Sequence, residues 1–382
     1  MANVDFHSRL TPDQRARYAE LRDLAATELA PLAPPSDSGR VDRRLMAKLG
    51  DLGILPALFP SHSGGSAPGE VSAVTLCLMR EALAQGSTVA ETAAALQGLG
   101  AYPILQSGSD DAREKWIPAV ARGKAVAAFA LTEPGAGSDA AALAVTAERD
   151  GGRYRLSGTK TWISNAPDAD VYTLFARTTP DAGARGVTAF VVPGDAPGLS
   201  GESLDLLAPH AIGTLQLDGV LVEAANVLGK VDAGFAVAMK TLDLFRPSVG
   251  AFAVGMAQAA LDAALVHVTS RRSFGHELRE HQAVSQRLAD MATRTAAARY
   301  LVYEAAFAVD SGERTTKLSA MAKLFATEAA QSVVDDAIQI HGASGLQKGH
   351  LLEHLYRDVR ATRIYEGTSE IQREVITREL YR

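Results

Sequence analysis

Apolar residues recur at helical spacing through the first third of the chain. The spacing holds in residues 11–30, 41–53, 70–85, 90–100 and 110–123. It is the period of a helix that buries one face. Thr11 followed by Pro12 is typical of a helix start, and Gly53 is typical of a helix end. The pattern therefore predicts an N-terminal α-helical domain over residues 1–123.

Between residues 124 and 232 the pattern changes to short segments rich in Val, Thr, Tyr and Phe. These segments are residues 125–133, 142–150, 153–164, 171–178, 187–194 and 214–222. Stretches containing glycine, proline and aspartate separate them, as turns separate strands. The block predicts a middle antiparallel β-domain of about six to eight strands.

Helical spacing returns in long alanine-rich runs from residue 233 to residue 382. The runs are residues 234–270, 280–310, 315–340 and 370–380. Long helices joined by short breaks predict a C-terminal four-helix bundle. The whole chain is thus predicted to be a multidomain α/β/α protein with its β-domain in the middle.

Composition narrows the possible functions. The net charge is −6 and no block of Lys and Arg occurs, which argues against nonspecific nucleic-acid binding. The single cysteine, Cys77, excludes an internal disulfide and a CxxC site, and its apolar neighbours predict a core residue. No apolar run reaches the roughly 18 residues of a membrane span. Residues 1–15 show no targeting pattern, so we expect a soluble cytoplasmic protein.

A glycine-rich loop, residues 131–139 with the sequence LTEPGAGSD, follows the first predicted strand. Glycines let a backbone approach a ligand closely. Consecutive N–H groups, together with the hydroxyls of Thr132 and Ser138, can hold a phosphate or a carbonyl group. A loop of this composition is, however, more often an ordinary turn.

Three further motifs each have a structural and a functional interpretation. Trp162 in TKTWISN can stack on a flat cofactor beside the Ser164 hydroxyl, or fill the core. Asp243 and Arg246 are three residues apart, which also describes a solvated surface pair. Arg271 follows a helix, where it can bind phosphate or balance the helix dipole.

A candidate base, Glu366, lies in the segment IYEGTSEIQ near the C-terminus. Gly367 interrupts the helical pattern, and Ser369 with Gln372 has the spacing of a capping box for the last helix. Glu366 is therefore predicted to lie in a bend, where Tyr365 can desolvate it. Burial raises the pKa of a carboxylate, as a base that works near neutrality requires. An ordinary surface glutamate is the alternative.

In combination, these motifs resemble the acyl-CoA dehydrogenase family over essentially the whole length. The matching segments, in chain order, are LTEPGAGSD, TKTWISN, the Asp243/Arg246 pair, RRSFG with EHQAVSQRLADMA, QIHGASG and IYEGTSEIQ. The resemblance implies the three-domain fold already described, with FAD as cofactor between the β-domain and the bundle. It also implies a homotetramer or homodimer in which a neighbouring subunit reaches the FAD.

The resemblance assigns roles to individual residues. The FAD-binding residues that it implies are Phe129, Leu131, Thr132, Gly137, Ser138, Trp162, Ser164, Arg271, Phe274, Gln339, Ala343, Thr368 and Glu370. The substrate-binding residues that it implies are Ser138, Asp243, Arg246, Tyr365 and Gly367. Departures from the common family pattern are Phe129 for Tyr, Ser164 for Thr and Ala343 for Gly. No metal is expected.

The resemblance also implies the reaction. Glu366 takes the α-proton of an acyl thioester, flavin N5 takes the β-hydride, and a trans-2-enoyl thioester results. Acyl-CoA is the expected substrate, and an electron-transfer flavoprotein is the expected acceptor. Some branches of the family place the base before the bundle arginine, where this chain has Phe245. Glu366 therefore fits the placement found in short-, medium- and methyl-branched-chain enzymes. Ala90 stands where glutaryl-specific members of the family have an arginine for the distal carboxylate, which disfavours glutaryl-type substrates.

Alternatives remain open at this point. The segment 207–213 lacks the family's common Lys-x-Gly-x-Arg-x-Ser pattern, so the acyl group can be carried by an acyl-carrier protein in a biosynthetic pathway. An oxygen-using acyl-CoA oxidase of the same fold is another possibility. A nucleic-acid-binding relative without activity is disfavoured by the acidic charge.

Overall fold

The structure is a computed structural model that describes residues 9–32, 39–208 and 210–382. Residues 1–8, part of the segment without a targeting pattern, lie outside the described residues. The N-terminal third is helical, as predicted. Its helices are α1 (Pro12–Leu24), α2 (Ala30–Leu32), α3 (Arg43–Asp51), α4 (Ala73–Gly86), α5 (Thr88–Ser107) and α6 (Asp110–Ala121). A π-helical turn, Ala25–Leu29, joins α1 to α2.

The ends of these helices follow the sequence signals. Thr11 caps α1, because its side chain accepts a hydrogen bond from the Gln14 N–H while the Gln14 side chain accepts one from the Thr11 N–H. Gly53 follows the end of α3 with a φ of +69°, a conformation that glycine adopts without strain. Cys77 in α4 is fully buried, and burial raises the pKa of its thiol.

The middle of the chain forms an eight-stranded sheet. Its strands are β1 (Ala127–Ala130), β2 (Thr146–Asp150), β3 (Arg153–Ser164), β4 (Val171–Arg177), β5 (Val187–Pro193), β6 (Leu199–Ser203), β7 (Ile212–Glu223) and β8 (Val227–Leu228). The order is β6-β7-β3-β2-β4-β5-β8, and β1 pairs with β4. The prediction of an antiparallel sheet is wrong for two pairings, since β1 and β2 each pair with β4 in parallel. Parallel pairs need long crossovers, which the chain between these strands provides.

The strands differ in burial, and one irregularity matters for the candidate site. Strands β4 and β5 are buried on both faces except at their last residues, whereas β3 and β7 alternate over much of their length. The pairing of β3 with β7 shifts register between Lys160 and Ile163. Trp162 lies in this irregularity with a φ of +56°. A bulge of this kind redirects a side chain.

The last third is helical again. Its elements are α7 (Gly234–Ser270), β9 (Arg272–Ser273), β10 (His276–Glu277), α8 (Gln282–Asp310), α9 (Thr316–His341), α10 (Leu351–Thr362) and α11 (Ser369–Leu380). The four predicted helices of the bundle correspond to α7, α8, α9 and α11, and α10 is an additional short helix. Helix α9 packs against α8, α10 and α11.

By its contacts, the chain divides into two compact units. The helical unit combines residues 9–32 with Ser72–Glu91 and Asp243–Arg382. The sheet unit combines residues 39–71 with Thr92–Leu242. Among the described residues only Gly234–Ser270 is long and apolar enough for a membrane span, and 72% of its most apolar stretch is buried inside the protein. That burial is typical of the core helix of a soluble protein.

Candidate active site

Glu366 lies in the short turn between α10 and α11, in the helical unit. Its φ is +52°, and the φ of Gly367 after it is +94°. The left-handed conformation costs a residue with a Cβ roughly 1–2 kcal/mol. Surrounding contacts must therefore hold Glu366 in place. Residues strained in this way cluster at active sites.

Two buried side chains hold the turn by its carbonyl groups. Gln372 Nε2 donates hydrogen bonds to the carbonyl oxygens of Glu366, at 3.1 Å, and Gly367, at 3.0 Å. Lys323 Nζ donates to the Gly367 oxygen at 2.7 Å. Both donor side chains are fully buried. A Cβ at position 367 would lie 2.5 Å from Gln372 Nε2, so a larger residue there would have to displace the Gln372 amide from the turn.

The Glu366 carboxylate is the chemically unusual group of the turn. Its Oε2 atom is buried and has no hydrogen-bond partner among the described residues. Burial raises the pKa of Glu366, while the positive charges of Arg80, Arg246 and Lys323 oppose that rise without cancelling it. A carboxylate with a raised pKa is suited to accept a proton near neutral pH. The Glu366 N–H also finds no acceptor within the described residues.

The cations near Glu366 are themselves buried and positioned. Arg80 forms an ion pair with Glu91 and donates to the Ser248 hydroxyl at 3.0 Å. Burial would lower the pKa of Arg80, but Glu91, Tyr365 and Glu366 raise it above its usual value. Arg80 therefore stays charged and keeps a positive field at the carboxylate.

Asp243, Arg246 and Tyr365 were predicted to bind substrate. Arg246 Nη1 donates to Asp243 Oδ1 at 2.9 Å, and Arg246 is only 8% exposed, whereas the Asp243 side chain is 47% exposed, so only the arginine of the pair is shielded from solvent. Burial raises the pKa of the Tyr365 hydroxyl, which remains neutral at physiological pH. Arg246 and Tyr365 thus lie in the electrostatic environment of Glu366.

In the sheet unit, a buried lysine connects two of the predicted motifs. Lys160 Nζ donates to the Leu131 carbonyl at 2.9 Å and to Glu133 Oε1 at 2.8 Å. The Thr161 N–H donates to the Thr132 carbonyl at 3.0 Å. Burial lowers the pKa of Lys160 to about 8, against the opposing effect of Glu133. The loop 131–139 and strand β3 are thereby fixed to each other.

One part of the glycine-rich loop, around Glu133, is buried, and the other part, the rim formed by Gly137 and Ser138, is exposed. Glu133 accepts hydrogen bonds from the N–H groups of Ala144, at 2.5 Å, and Val145, at 3.0 Å. Gly137 and Ser138 are exposed, and within the described residues their N–H groups have no acceptor. Two adjacent free N–H groups on an open rim can bind a phosphate.

Trp162 is not a core residue. It is 53% exposed and lies within the register shift of β3. The Ser164 hydroxyl, two residues on, lies 3.5 Å from His210 Nε2. Pro209, in the segment that departs from the family pattern, lies outside the described residues. Phe129 packs with its ring centroid 4.9 Å from that of Phe175. The sheet unit thus presents an exposed flat ring and a hydroxyl on one strand.

The remaining predicted residues lie in the helical unit, mostly exposed. Phe274, in the β9–β10 turn, is 93% exposed with a φ of +50°. Arg271 lies beside that hairpin, and Gln339 is exposed near the end of α9. Ala343 lies in the following Gly342–Leu346 turn and is exposed. These four predicted residues are therefore accessible on the helical unit.

The predicted capping box at the start of α11 is wrong by one residue. Thr368 is the N-cap and accepts a hydrogen bond from the Ile371 N–H at 3.3 Å. The Ser369 hydroxyl instead donates to Glu328. Gln372 does not reach back to cap the helix, because its amide is used on the turn carbonyls. Glu370 is exposed in the first turn of α11.

The sequence analysis assigned no role in the site to four charged residues around the predicted ones, Arg80, Glu133, Lys160 and Lys323, and it assigned Gln372 only to a capping box. Two of these carry a visible signal. Lys160 and Lys323 interrupt otherwise small or apolar buried positions on a strand and a helix, and a buried lysine requires a partner. The identity of each partner depends on long-range packing.

Profiles of one protein family match the chain in three consecutive segments. The profile described as "Acyl-CoA dehydrogenase, N-terminal domain" matches residues 11–124, the middle domain matches residues 128–220 and the C-terminal domain matches residues 232–381. The chain belongs to the acyl-CoA dehydrogenase family. This membership confirms the predicted three-domain fold, the FAD cofactor and the class, an oxidoreductase acting on CH–CH bonds in acyl thioesters. The predicted domain boundaries after residues 123 and 232 stay a prediction.

Individual acyl-CoA dehydrogenase relatives match over nearly their whole length. Cyclohexane-1-carbonyl-CoA dehydrogenase of Geobacter metallireducens is 40% identical, over 94% of this chain and 95% of its own. The caffeyl-CoA reductase-Etf complex subunit CarC of Acetobacterium woodii is 38% identical, over 93% and 95%. The solved structure of butyryl-CoA dehydrogenase from Megasphaera elsdenii has a TM-score of 0.93 and 35% identity, over 98% and 100%.

The sheet unit fits the FAD that an acyl-CoA dehydrogenase binds. The exposed Trp162 ring offers a stacking face for a flat ring system. Among the described residues, no atom lies within 4 Å of where a Gly137 Cβ would be, which leaves room beside the N–H groups of Gly137 and Ser138. The Trp162 ring thus suits the flat isoalloxazine of FAD, and the N–H groups of Gly137 and Ser138 suit its pyrophosphate.

Proposed function

We propose that this enzyme dehydrogenates an acyl-CoA to the trans-2-enoyl-CoA, with Glu366 as the base that removes the α-proton. The observation that carries the proposal is the buried, unpartnered Oε2 of Glu366, in a strained turn held from two sides. When bound, FAD supplies the acceptor for the hydride that leaves the β-carbon.

The chain's own groups account for the proton-transfer half of the reaction. An α-proton is too weakly acidic for a carboxylate unless the thioester carbonyl is held by donors that strengthen as negative charge develops on it. The Glu366 N–H, which has no acceptor within the described residues, is the proposed donor from the protein. The proton moves to the Glu366 carboxylate, whose raised pKa favours its acceptance.

We further propose the remaining binding roles as the family resemblance assigns them. Ser138, Asp243, Arg246, Tyr365 and Gly367 bind the substrate. The FAD-binding residues fall into two groups: Phe129, Leu131, Thr132, Gly137, Ser138, Trp162 and Ser164 in the sheet unit, and Arg271, Phe274, Gln339, Ala343, Thr368 and Glu370 in the helical unit. The exposed aromatic rings of Trp162 and Phe274 support these assignments.

The base is proposed at Glu366 and at no second position. The alternative family position, Phe245, is 1% exposed and carries no ionisable group. Ala90 is fully buried and offers no charge to the distal carboxylate of a glutaryl group. The proposed substrates are therefore monocarboxylic acyl thioesters, straight or branched.

The proposal extends to partners. The Acetobacterium woodii relative is named as a subunit of a complex with Etf, which supports an electron-transfer flavoprotein as acceptor for this chain. Assembly as a homotetramer or homodimer, a cytoplasmic location and a role in fatty acid metabolism belong to the same proposal. Their support is the family resemblance.

The decisive test is anaerobic titration of the FAD-loaded protein with a panel of acyl-CoAs, following loss of the flavin absorption band. We expect one chain class to bleach the wild type. Glu366→Gln should bind the same ligand but reduce the flavin more slowly, by roughly 10²–10⁴-fold from loss of the base alone. Glu374→Gln, an exposed carboxylate on α11, is the matched control and should behave as wild type.

The same experiment separates the alternatives. If no acyl-CoA bleaches the wild type but an acylated carrier protein does, coenzyme A is the wrong carrier. If Glu366→Gln reduces the flavin at the wild-type rate, Glu366 is not the base. Reduced wild-type enzyme that reoxidises rapidly in air would indicate an oxidase.

A further inference from the structure

Lys323 is a fully buried lysine on α9 whose ammonium lies against the turn that carries Glu366. The only hydrogen bond that the described residues give its Nζ goes to the Gly367 carbonyl, at 2.7 Å. Lysine is almost never fully buried without an anionic partner, yet the acceptor here is neutral. A buried positive charge is therefore hydrogen-bonded to a single backbone oxygen beside the candidate base.

The other carboxylates near Lys323, those of Glu328 and Glu370, do not form a hydrogen bond with its ammonium among the described residues. Glu328 binds Arg363 at 2.9 Å and accepts from the Ser369 hydroxyl at 2.6 Å. Glu370 is exposed. The carboxylate of Glu366 makes the largest opposing contribution against the burial of Lys323. The Lys323 charge thus acts mainly on Glu366.

Gln372 completes the arrangement from α11. Its amide donates to the carbonyls of both Glu366 and Gly367. The Gly367 oxygen consequently accepts from two side chains, which uses both of its lone pairs. Because each peptide group is planar, fixing two successive carbonyl oxygens fixes the two peptide planes that follow Glu366. The two planes meet at the Cα of Gly367, so these hydrogen bonds maintain the φ of +94° at Gly367 and hold the carbonyl side of Glu366.

We propose that Lys323 and Gln372 are positioning residues for the dehydrogenation, together forming a carbonyl clamp that holds the turn carrying Glu366, and with it the Glu366 carboxylate, in reactive geometry. The proposal rests on the proposed function of Glu366 as the base. Gln372 acts by position alone. Lys323 acts by position and by its charge.

The two roles predict different pH behaviour. The charged groups that act on Glu366 are Arg80 from α4, Arg246 from α7 and Lys323 from α9. Around Lys323 itself they are Glu366, Arg246, Glu328 and Glu370. Loss of the Lys323 cation removes one of three positive charges near the carboxylate, so its affinity for a proton must rise. Loss of the neutral Gln372 amide removes no charge, so the proton affinity of the Glu366 carboxylate should not rise.

The test compares Lys323→Met, Gln372→Met and the control Lys317→Met in FAD-loaded enzyme. Lys317 lies on the same helix as Lys323 but is exposed. Rapid-mixing flavin reduction is measured across neutral pH with the acyl-CoA that bleaches the wild type. We expect both clamp variants to reduce the flavin at least about 10-fold more slowly, since small misplacements of reacting groups cost up to about 100-fold. The rate should fall more than the affinity for substrate.

The pH profile then distinguishes positioning from charge. The acidic limb of the Lys323→Met profile should move to higher pH, while that of Gln372→Met should stay in place. Wild-type rates in both clamp variants, or an unmoved limb in Lys323→Met, would overturn the proposal. If Lys323→Met does not fold, Gln372→Met still tests the clamp through its rate.

A readout without turnover separates this proposal from the proposed function. Hydrogen exchange of residues 363–372 should be faster in both clamp variants than in Lys317→Met, because the turn loses its side-chain donors. If no acyl thioester reduces the wild-type flavin but exchange accelerates as expected, the proposed function fails, and the clamp stands only as a structural support of the turn. Unchanged exchange in both variants would overturn the clamp.

Discussion

Replacing Lys160 by Met tests how the sheet unit holds its glycine-rich loop. The substitution removes the ammonium that joins the Leu131 carbonyl to the Glu133 carboxylate. Lys160 is fully buried and Glu133 is 5% exposed. Glu133 keeps its two backbone N–H donors but becomes a buried charge without a counter-charge. Breaking a buried pair from one side typically costs about 3–5 kcal/mol.

The assay uses the positions of the two tryptophans. Trp116 and Trp162 both lie in the sheet unit, so their fluorescence during urea unfolding reports on that unit. We expect Lys160→Met to lower its free energy of unfolding by about 3–5 kcal/mol. The exposed Lys124, in the same unit, provides the control Lys124→Met, for which we expect within about 0.5 kcal/mol of wild type. FAD should also dissociate faster from Lys160→Met, since residues 131–138 lose an anchor.

The pH dependence gives a second, independent check. The pKa of Lys160 is about 8 when folded, against an ordinary 10.5. Between these values the unfolded chain binds a proton that the folded protein does not, so this group makes stability rise with pH. The destabilisation by Lys160→Met should therefore grow from pH 8 to pH 10.5. A loss equal to that of Lys124→Met, or a constant loss across this window, would refute the reasoning.

Two further predictions concern the turn that carries the candidate base. Gly367→Ala and Gly312→Ala both place a Cβ at positive φ, at a cost of roughly 1–2 kcal/mol each. The Cβ at 367 would lie 2.5 Å from Gln372 Nε2, whereas the Cβ at 312 would have no atom of the described residues within 4 Å. Anaerobic stopped-flow should therefore show flavin reduction slowed by about 10- to 100-fold in Gly367→Ala alone, and equal rates in the two variants would contradict this. Arg80→Met removes the positive charge that lowers the pKa of Glu366 most strongly. The acidic limb of the pH profile of flavin reduction should therefore move to higher pH. A limb that stays in place would show that Arg80 does not act on the base.

Hydrophobic spacing was sufficient to locate most of the fold. The helix stops at Gly53 and Gly123 and the Thr11 cap follow from local sequence, because caps and turns depend on neighbouring residues. Strand β6 was missed, since only Leu199 in it is apolar. The parallel pairing of β1 with β4 could not be read from spacing either. Which strands become neighbours depends on chain crossovers far longer than any local pattern.

For the candidate site as well, local sequence and the family resemblance predicted some residues, whereas the contacts that depend on long-range packing were not predicted. Gly367 and Glu366 were found from a break in the helical pattern and from the family resemblance. The hydrogen bond from Lys323 to the Gly367 carbonyl joins residues 44 positions apart, and no local rule predicts it. The misplaced capping box has the same origin: the spacing of Ser369 and Gln372 satisfies the local rule, but tertiary burial turns the Gln372 amide to the carbonyls of the turn.

The burial of Cys77 has a practical consequence for spectroscopy. The chain has no other cysteine, and this one is fully enclosed in α4 with a thiol whose pKa is raised. Thiol-directed labels react with the thiolate of accessible cysteines, so the wild-type protein should remain unlabelled. Cysteines introduced at exposed Lys124 and Lys317 would then carry the only spin labels or fluorophores, one on each unit, with no need for a cysteine-free background.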